Sequence, residues 1–200
     1  MKISEIMKNR FACRDYTDEV LDDELVRQIV ATACLTPSSL GLEPWQVYAV
    51  SGEQKLARLS EICLNQKQVA TCSHALILAK HINLRSGDKF FKDFLAAKDE
   101  ASRAWYLGFI KDRFDLMSEE QIYAYGSNQC YALMANLINI AYEAGVKSCV
   151  IGGFDKAACD EFLGLKDDIK SVLVITLGRS NESTKAKHRR DIKSVLEMIK

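Results

Sequence analysis

Arg10 and Arg14, Ser38 and Ser39 behind Pro37, the amides of Asn65 and Gln129, and a cationic C-terminal stretch that includes Lys185 and Lys187 form a set of hydrogen-bond donors with no obvious catalytic acid or base. Guanidinium and ammonium groups match the oxygens of a phosphate, and amides and hydroxyls match the polar edge of a planar ring, so the set suits those two chemistries. Gly152-Gly153-Phe154-Asp155 follows the apolar run Ser148-Cys149-Val150-Ile151. Two missing Cβ atoms where a chain leaves a strand let backbone N–H groups approach something flat, although an ordinary strand-to-helix turn uses the same pair. Each of the other groups also has an ordinary role when taken singly. Arg10 and Arg14, one turn apart if helical, make a solvated edge, and Ser38-Ser39 a plain loop. Asn65 with Lys67 and Gln68 makes a helix-end polar cluster, and Gln129 a buried amide satisfied by backbone. Cys149 reads more readily as a small buried hydrophobe than as a redox thiol.

Other chemistries lack their residues. The ten glycines contain neither G-x-G nor G-x-x-x-x-G-K, which removes the Rossmann fingerprint and the P-loop. His74, His81 and His188 are not at ligand spacing and the seven cysteines contain no C-x-x-C, so no metal site is expected. An odd number of cysteines inside apolar patterns reads as reduced thiols. Lys plus Arg and Asp plus Glu both total 27, so no net field draws the whole chain to nucleic acid or to a membrane. No apolar h-region follows Met1 and no apolar run is long enough to span a bilayer, so the expectation is a cytoplasmic protein without membrane or nucleic-acid partners.

Elements that would position the donors can be read from periodicity and caps. Ile3, Ile6 and Met7 mark a short helix that delivers Arg10. Asp22 caps a second helix with Leu21 and Val26 as a staple and an apolar face of Leu25, Val26, Ile29, Val30 and Ala33. A loop between Pro37 and Pro44 leads to a strand over Trp45 to Val50. Ser51 and Gln54 form a capping box for the helix that ends at Asn65-Gln66-Lys67-Gln68, and His74 to Ile82 is a strand. Residues 86–116 read as helical without a clean apolar stripe, a surface excursion or a partner contact. Ser118 and Gln121 open a long core helix that stops at Gly145. Ser148 to Ile151 and Ser171 to Leu177 are buried strands around an Asp155-capped helix. Length and 48% apolar content fit one domain over residues 1–200, with 179–200 as a basic arm.

Taken in order, Arg10-Phe11-Ala12-Cys13-Arg14, Pro37-Ser38-Ser39 with Glu43-Pro44-Trp45, Asn65, and Gly152-Gly153-Phe154-Asp155 resemble the flavin-dependent nitroreductase family. The likeness runs from about residue 3 to the basic arm and is especially close to the metronidazole-activating bacterial branch, which shares a Ser-Cys-aliphatic-Ile-Gly-Gly-Phe-Asp stretch. The resemblance implies an α+β fold, a mainly antiparallel central sheet flanked by helices, and an intertwined homodimer that exchanges C-terminal arms and holds FMN at its interface. It implies that Arg10 with Lys185 and Lys187 clamps the FMN phosphate, with Lys187 and Arg189 serving nearly as well. Arg14 would face the pyrimidine edge, Pro37, Ser38 and Ser39 would come from the other subunit, Asn65 would meet the ring's polar edge, and Gly153 would offer its N–H to N5. Gln129 would be a further polar neighbour, and Phe11, Ala12, Gln68, Ile151 and Gly152 complete the implied cofactor set. Better-studied members carry His-Ser at Phe11-Ala12, Lys at Gln68 and Glu at Gly152.

The implied activity is an FMN-dependent NAD(P)H oxidoreductase, with NADPH or NADH as donor and a nitroaromatic or quinone as acceptor, working by ping-pong hydride transfer through flavin N5 with no catalytic side chain. Alternatives are a flavin or quinone reductase with incidental nitro reduction, a flavin-binding protein without turnover, and a nucleic-acid-binding module built on the basic arm, against which zero net charge argues.

Overall fold

The structure is a computed structural model that describes residues 1–184 and 186–199. The expected Lys185 therefore lies outside the described residues. Twelve regular elements run α1 (Ile3–Asn9), α2 (Asp23–Ala33), β1 (Trp45–Ser51), α3 (Glu53–Ile62), α4 (Lys67–Ala70), β2 (His74–His81), α5 (Lys89–Ala96), α6 (Glu100–Arg113), α7 (Glu119–Glu143), β3 (Lys147–Ile151), α8 (Lys156–Leu163) and β4 (Ile169–Gly178).

The four strands form one antiparallel sheet in the order β1-β2-β4-β3. β2 and β4 occupy the centre and are buried on both faces, which suits their apolar runs Ala75 to Ala79 and Val172 to Ile175. Successive side chains point to opposite faces. Leu76 and Leu78 pack with α2 and α7 beneath one face, while Ala75 and Ile77 pack with α3 and α8 on the other. The expectation of an α+β fold with a central antiparallel sheet flanked by helices holds.

Local signals account for most boundaries. Asp22 accepts from Glu24 N and Asp155 from Ala158 N, each satisfying a donor at the start of its helix. Ser118 and Gln121 make the reciprocal capping box of α7, and Gly145 follows that helix at φ 74. Two local expectations fail. Ser51 is the last residue of β1 and not a cap; α3 starts behind Gly52, whose φ of 87 only glycine adopts cheaply. Arg10 already has extended backbone as the C-cap of α1, and Ala12 bridges Ser148, so Arg10 and Arg14 are not one helical turn apart.

Residues 86–116 have a core of their own. Phe91 and Leu95 of α5, Ile110 of α6 and Phe114 pack with Leu42, Leu84 and Ile122. Arg85 fastens this layer, donating to the carbonyls of Phe114, Asp115 and Met117 beyond α6. The apolar positions are divided between two short helices and a loop, so no single stripe is visible in the sequence.

Candidate functional site

Three loops meet at one end of β3. Cys13 N donates to Ser148 O at 3.0 Å, laying residues 10–14 beside the strand. Asn65 to Gln68 follow α3, and Gly152 and Gly153 follow β3. The amide of Gln66 joins the last two, donating to Cys63 O at 2.9 Å and to Gly153 O at 3.0 Å. Gln68, buried, donates in turn to Oε1 of Gln66 at 3.0 Å. Lys67 Nζ pairs with Asp15 Oδ1 at 2.9 Å, tying the Asn65 loop to the arginine segment. Both partners of that pair are exposed, so it orients more than it stabilises.

Neither glycine is demanded by the chain itself. Both have negative φ, a Cβ on Gly152 would meet nothing within 4 Å, and one on Gly153 would touch only Leu64 Cδ1 at 3.9 Å. Among the described residues no acceptor meets the N–H of Gly153. An open face with a free backbone donor is what a flat ligand needs. Ile151, just before, is buried, whereas Arg14, Ala12 and Asn65 are exposed and Phe11 is half-buried.

Arg10, Lys187 and Arg189 form a cationic cluster. Burial and the charge of Arg189 both push Arg10 down, and burial followed by the charges of Arg10 and Arg189 pushes Lys187 down. Lys187 Nζ donates to Met7 O, and Thr184 Oγ1 donates to Asn9 O at 3.2 Å, so this part of the arm lies along α1 of its own chain. Nε of Arg10 is buried without a partner. An unsatisfied guanidinium nitrogen amid mutually repelling cations fits a phosphate dianion.

Cys149 is buried, and burial pushes its thiol up, with Arg14 partly opposing. It is a protonated filler and not a nucleophile.

A second group gathers on α7. Ser38 Oγ accepts from Glu43 N at 2.9 Å, Ser39 N donates to Gln129 Oε1 at 2.9 Å, and Tyr125 OH donates to Ser39 O at 3.1 Å. Pro37 stands exposed beside them. Among the described residues no hydrogen bond or ion pair joins this group to the first. The expected site residues thus fall into two separate groups.

Among the described residues the non-glycine residues with positive φ are Leu40, Glu43, Leu64 and Asn65, two in the loop of each group. Such backbone costs about 1–3 kcal/mol per residue and clusters where geometry serves function. Sequence reasoning did not single out Gln66 or Tyr125 as site residues. Both act through loop carbonyls, which leave no motif. A cavity of about 500 Å³ lies elsewhere, between α2 and β1 beside Asp23 and His74. Among the described residues no group of His, Cys, Asp and Glu is placed to hold a metal ion.

Fold and site together define an α+β protein with an antiparallel sheet and an open face lined by donors. The model of the Nitroreductase family matches residues 7–179, and the chain belongs to that family. A Streptococcus pyogenes protein bearing the provisional name NAD(P)H nitroreductase is 26% identical, covering 98% of this chain and 99% of its own. The structure of a nitroreductase family protein from Streptococcus pneumoniae superposes with a TM-score of 0.90 at 25% identity over 99% of this chain and 100% of that one. A structure from Exiguobacterium sibiricum, described as a provisional nitroreductase in complex with FMN, matches with a TM-score of 0.87 at 20% identity over 100% and 98% of the two chains. These matches do not single out the metronidazole-activating branch.

Proposed function

We propose that the chain is an FMN-dependent NAD(P)H oxidoreductase that reduces nitroaromatic compounds or quinones. The observation that carries this reading is the Arg10, Lys187 and Arg189 cluster with the buried, unpartnered Nε of Arg10, a cradle whose like charges call for an anion. FMN, when bound, supplies hydride chemistry at N5, taking two electrons from NADH or NADPH and passing them to the acceptor in a second half-reaction.

The residues of this chain have positioning and electrostatic parts. Arg10 and Lys187, with Arg189, hold the phosphate. Arg14 meets the pyrimidine edge, where a fixed cation stabilises negative charge that gathers on the ring. Asn65 would meet the remaining polar edge, the buried Gln68 being engaged with Gln66, and Gly153 would offer its free N–H to N5. Phe11 and Ala12 would flank the ring, with Ile151 buried behind them in the core, and Gly152 leaves room beside it. No side chain is placed as a general acid, so protons come from solvent.

The two separate groups support a homodimer in which Pro37, Ser38, Ser39 and Gln129 of one copy complete the flavin pocket of the other. Ile192, Val195, Leu196, Met198 and Ile199 at the end of the arm are exposed apolar residues that a second copy would cover. In this reading residues 1–200 act as one domain in the cytoplasm, in keeping with seven free cysteines; no helix among the described residues is long and apolar enough to cross a membrane. Titration of purified protein with FMN tests the reading. Saturable binding that weakens when Arg10 is replaced supports it, and absence of binding refutes it.

A further inference from the structure

We infer that Gln66 is a positioning residue that sets the orientation of Gly153 and so tunes the flavin through that residue's N–H. The inference rests on the proposed placement of FMN against Gly153.

The side chain of Gln66 uses all its principal hydrogen-bonding capacity on one task. Its two amide hydrogens go to two carbonyls on different loops, Cys63 O at the end of α3 and Gly153 O after β3. Its oxygen accepts from Gln68 at 3.0 Å, and the buried Gln68 also bonds the thiol of Cys149, lowering that group's pKa against the effect of burial. An amide with donors and acceptor all engaged cannot rotate or flip without breaking three bonds.

Gln66 is itself held at both backbone ends. Its N–H donates to Cys63 O at 3.3 Å and its carbonyl accepts from Ser60 Oγ at 3.1 Å. Leu64 and Asn65, immediately before it, sit at φ 60 and φ 56, so the turn that aims Gln66 is maintained against backbone strain. Gly153 has no side chain to pack, and its φ and ψ are the least restrained of any residue type. Its anchors are the Gln66 bond on its carbonyl and, two residues on, Asp155 N donating to Ile62 O at 3.0 Å. Removing the first leaves the free N–H of Gly153 on a pivot. A donor aimed at a fixed atom is worth most when it needs no reorganisation, so loosening it acts on the bound ring and not only on the fold.

Gln66→Glu tests this because it keeps the shape and replaces the donor by a carboxylate facing two carbonyls; Gln66→Met, which makes no hydrogen bond, is the second variant should the first fold poorly. In the protein without flavin, exchange of the Asp155 amide, which donates to Ile62 O two residues beyond the lost bond, should accelerate by up to about tenfold. With FMN added, the flavin midpoint potential should fall and the dissociation constant should rise by about the same factor. A role confined to stability would lower the melting temperature and leave the potential of bound flavin unmoved. Unchanged exchange, or faster exchange with an unchanged potential, overturns the proposal. Failure of the wild-type chain to bind FMN overturns the flavin reading on which it rests, while the exchange experiment still reports on the Gln66 bond by itself.

Discussion

The backbone N–H of Ser39 donates to Oε1 of Gln129 at 2.9 Å, fixing the loop after α2 to the middle of α7. Tyr125, one turn earlier on the same helix, donates to the Ser39 carbonyl, so one residue of the loop is gripped at both ends of its backbone. Gln129→Leu keeps bulk and removes the acceptor. Exchange of the Ser39 amide should rise by up to about tenfold, the value of one net hydrogen bond, measured by hydrogen exchange with mass or NMR detection. FMN affinity should fall in parallel if, as proposed, this loop completes the flavin pocket of a second copy.

Arg10→Met separates folding from binding. The guanidinium is disfavoured by burial and by Arg189, so its removal should leave the melting temperature of the flavin-free protein unchanged or slightly raised. FMN affinity should fall roughly ten- to a hundredfold, as expected for hydrogen bonds to a charged group. Added salt should weaken wild-type binding more than binding by the variant. Thermal unfolding reads the first, and fluorescence titration at two ionic strengths reads the other two.

Lys80 gives the fold a pH signature. It is fully buried on β2, donating at 2.6 Å to both Tyr123 O and Ser127 Oγ of α7. Burial, then the charge of Lys156, pushes its pKa from 10.5 down to about 7. The unfolded chain therefore holds the extra proton between these two values. This contribution to stability is fully present above pH 10.5 and is lost as the pH falls towards 7, below which it changes no further. Urea unfolding of wild type should show stability rising from pH 7 to pH 9, and Lys80→Met should flatten that rise.

Two glycines should respond oppositely to alanine. A Cβ on Gly126 would lie 3.0 Å from Lys80 Cδ and 3.2 Å from His81 O, where α7 crosses β2. Gly126→Ala should cost about 1–3 kcal/mol, the usual penalty of overpacking. Gly152→Ala meets open space at negative φ and should be neutral or stabilising by about 0.4–1 kcal/mol through the unfolded state. Denaturation midpoints check both. A Gly152→Ala protein that is stable yet binds FMN differently would place that open space at the ligand.

The sequence was most legible where one residue type performs one local task. Asp22, Asp155, Ser118 with Gln121, and Gly145 mark helix ends because capping needs those side chains or that conformation. The central strands were equally plain, since the middles of β2 and β4, Ala75 to Ala79 and Val172 to Ile175, are apolar on both faces. Ser51 misled because Gly52 supplies the turn by its backbone, and the arginine spacing misled because α1 ends at Asn9, before either arginine. Lys80 looks like an ordinary strand lysine, its burial depending on the absence of a side chain at Gly126, far along the chain. Of the site, Arg10, Arg14, Asn65 and the glycine pair were visible as donors, and the structure brings their loops together. The Ser39 loop was visible too, but only the fold sets it apart from the other donors and ties it to Gln129.

The central claim is that this chain passes electrons from a nicotinamide donor through bound FMN. Anaerobic addition of NADH and of NADPH to the FMN-loaded protein tests it most directly, followed by a nitroaromatic or a quinone. At least one donor should bleach the flavin's visible absorption, and the acceptor should restore it with a matching loss of acceptor. Bound FMN that neither donor bleaches would contradict the account.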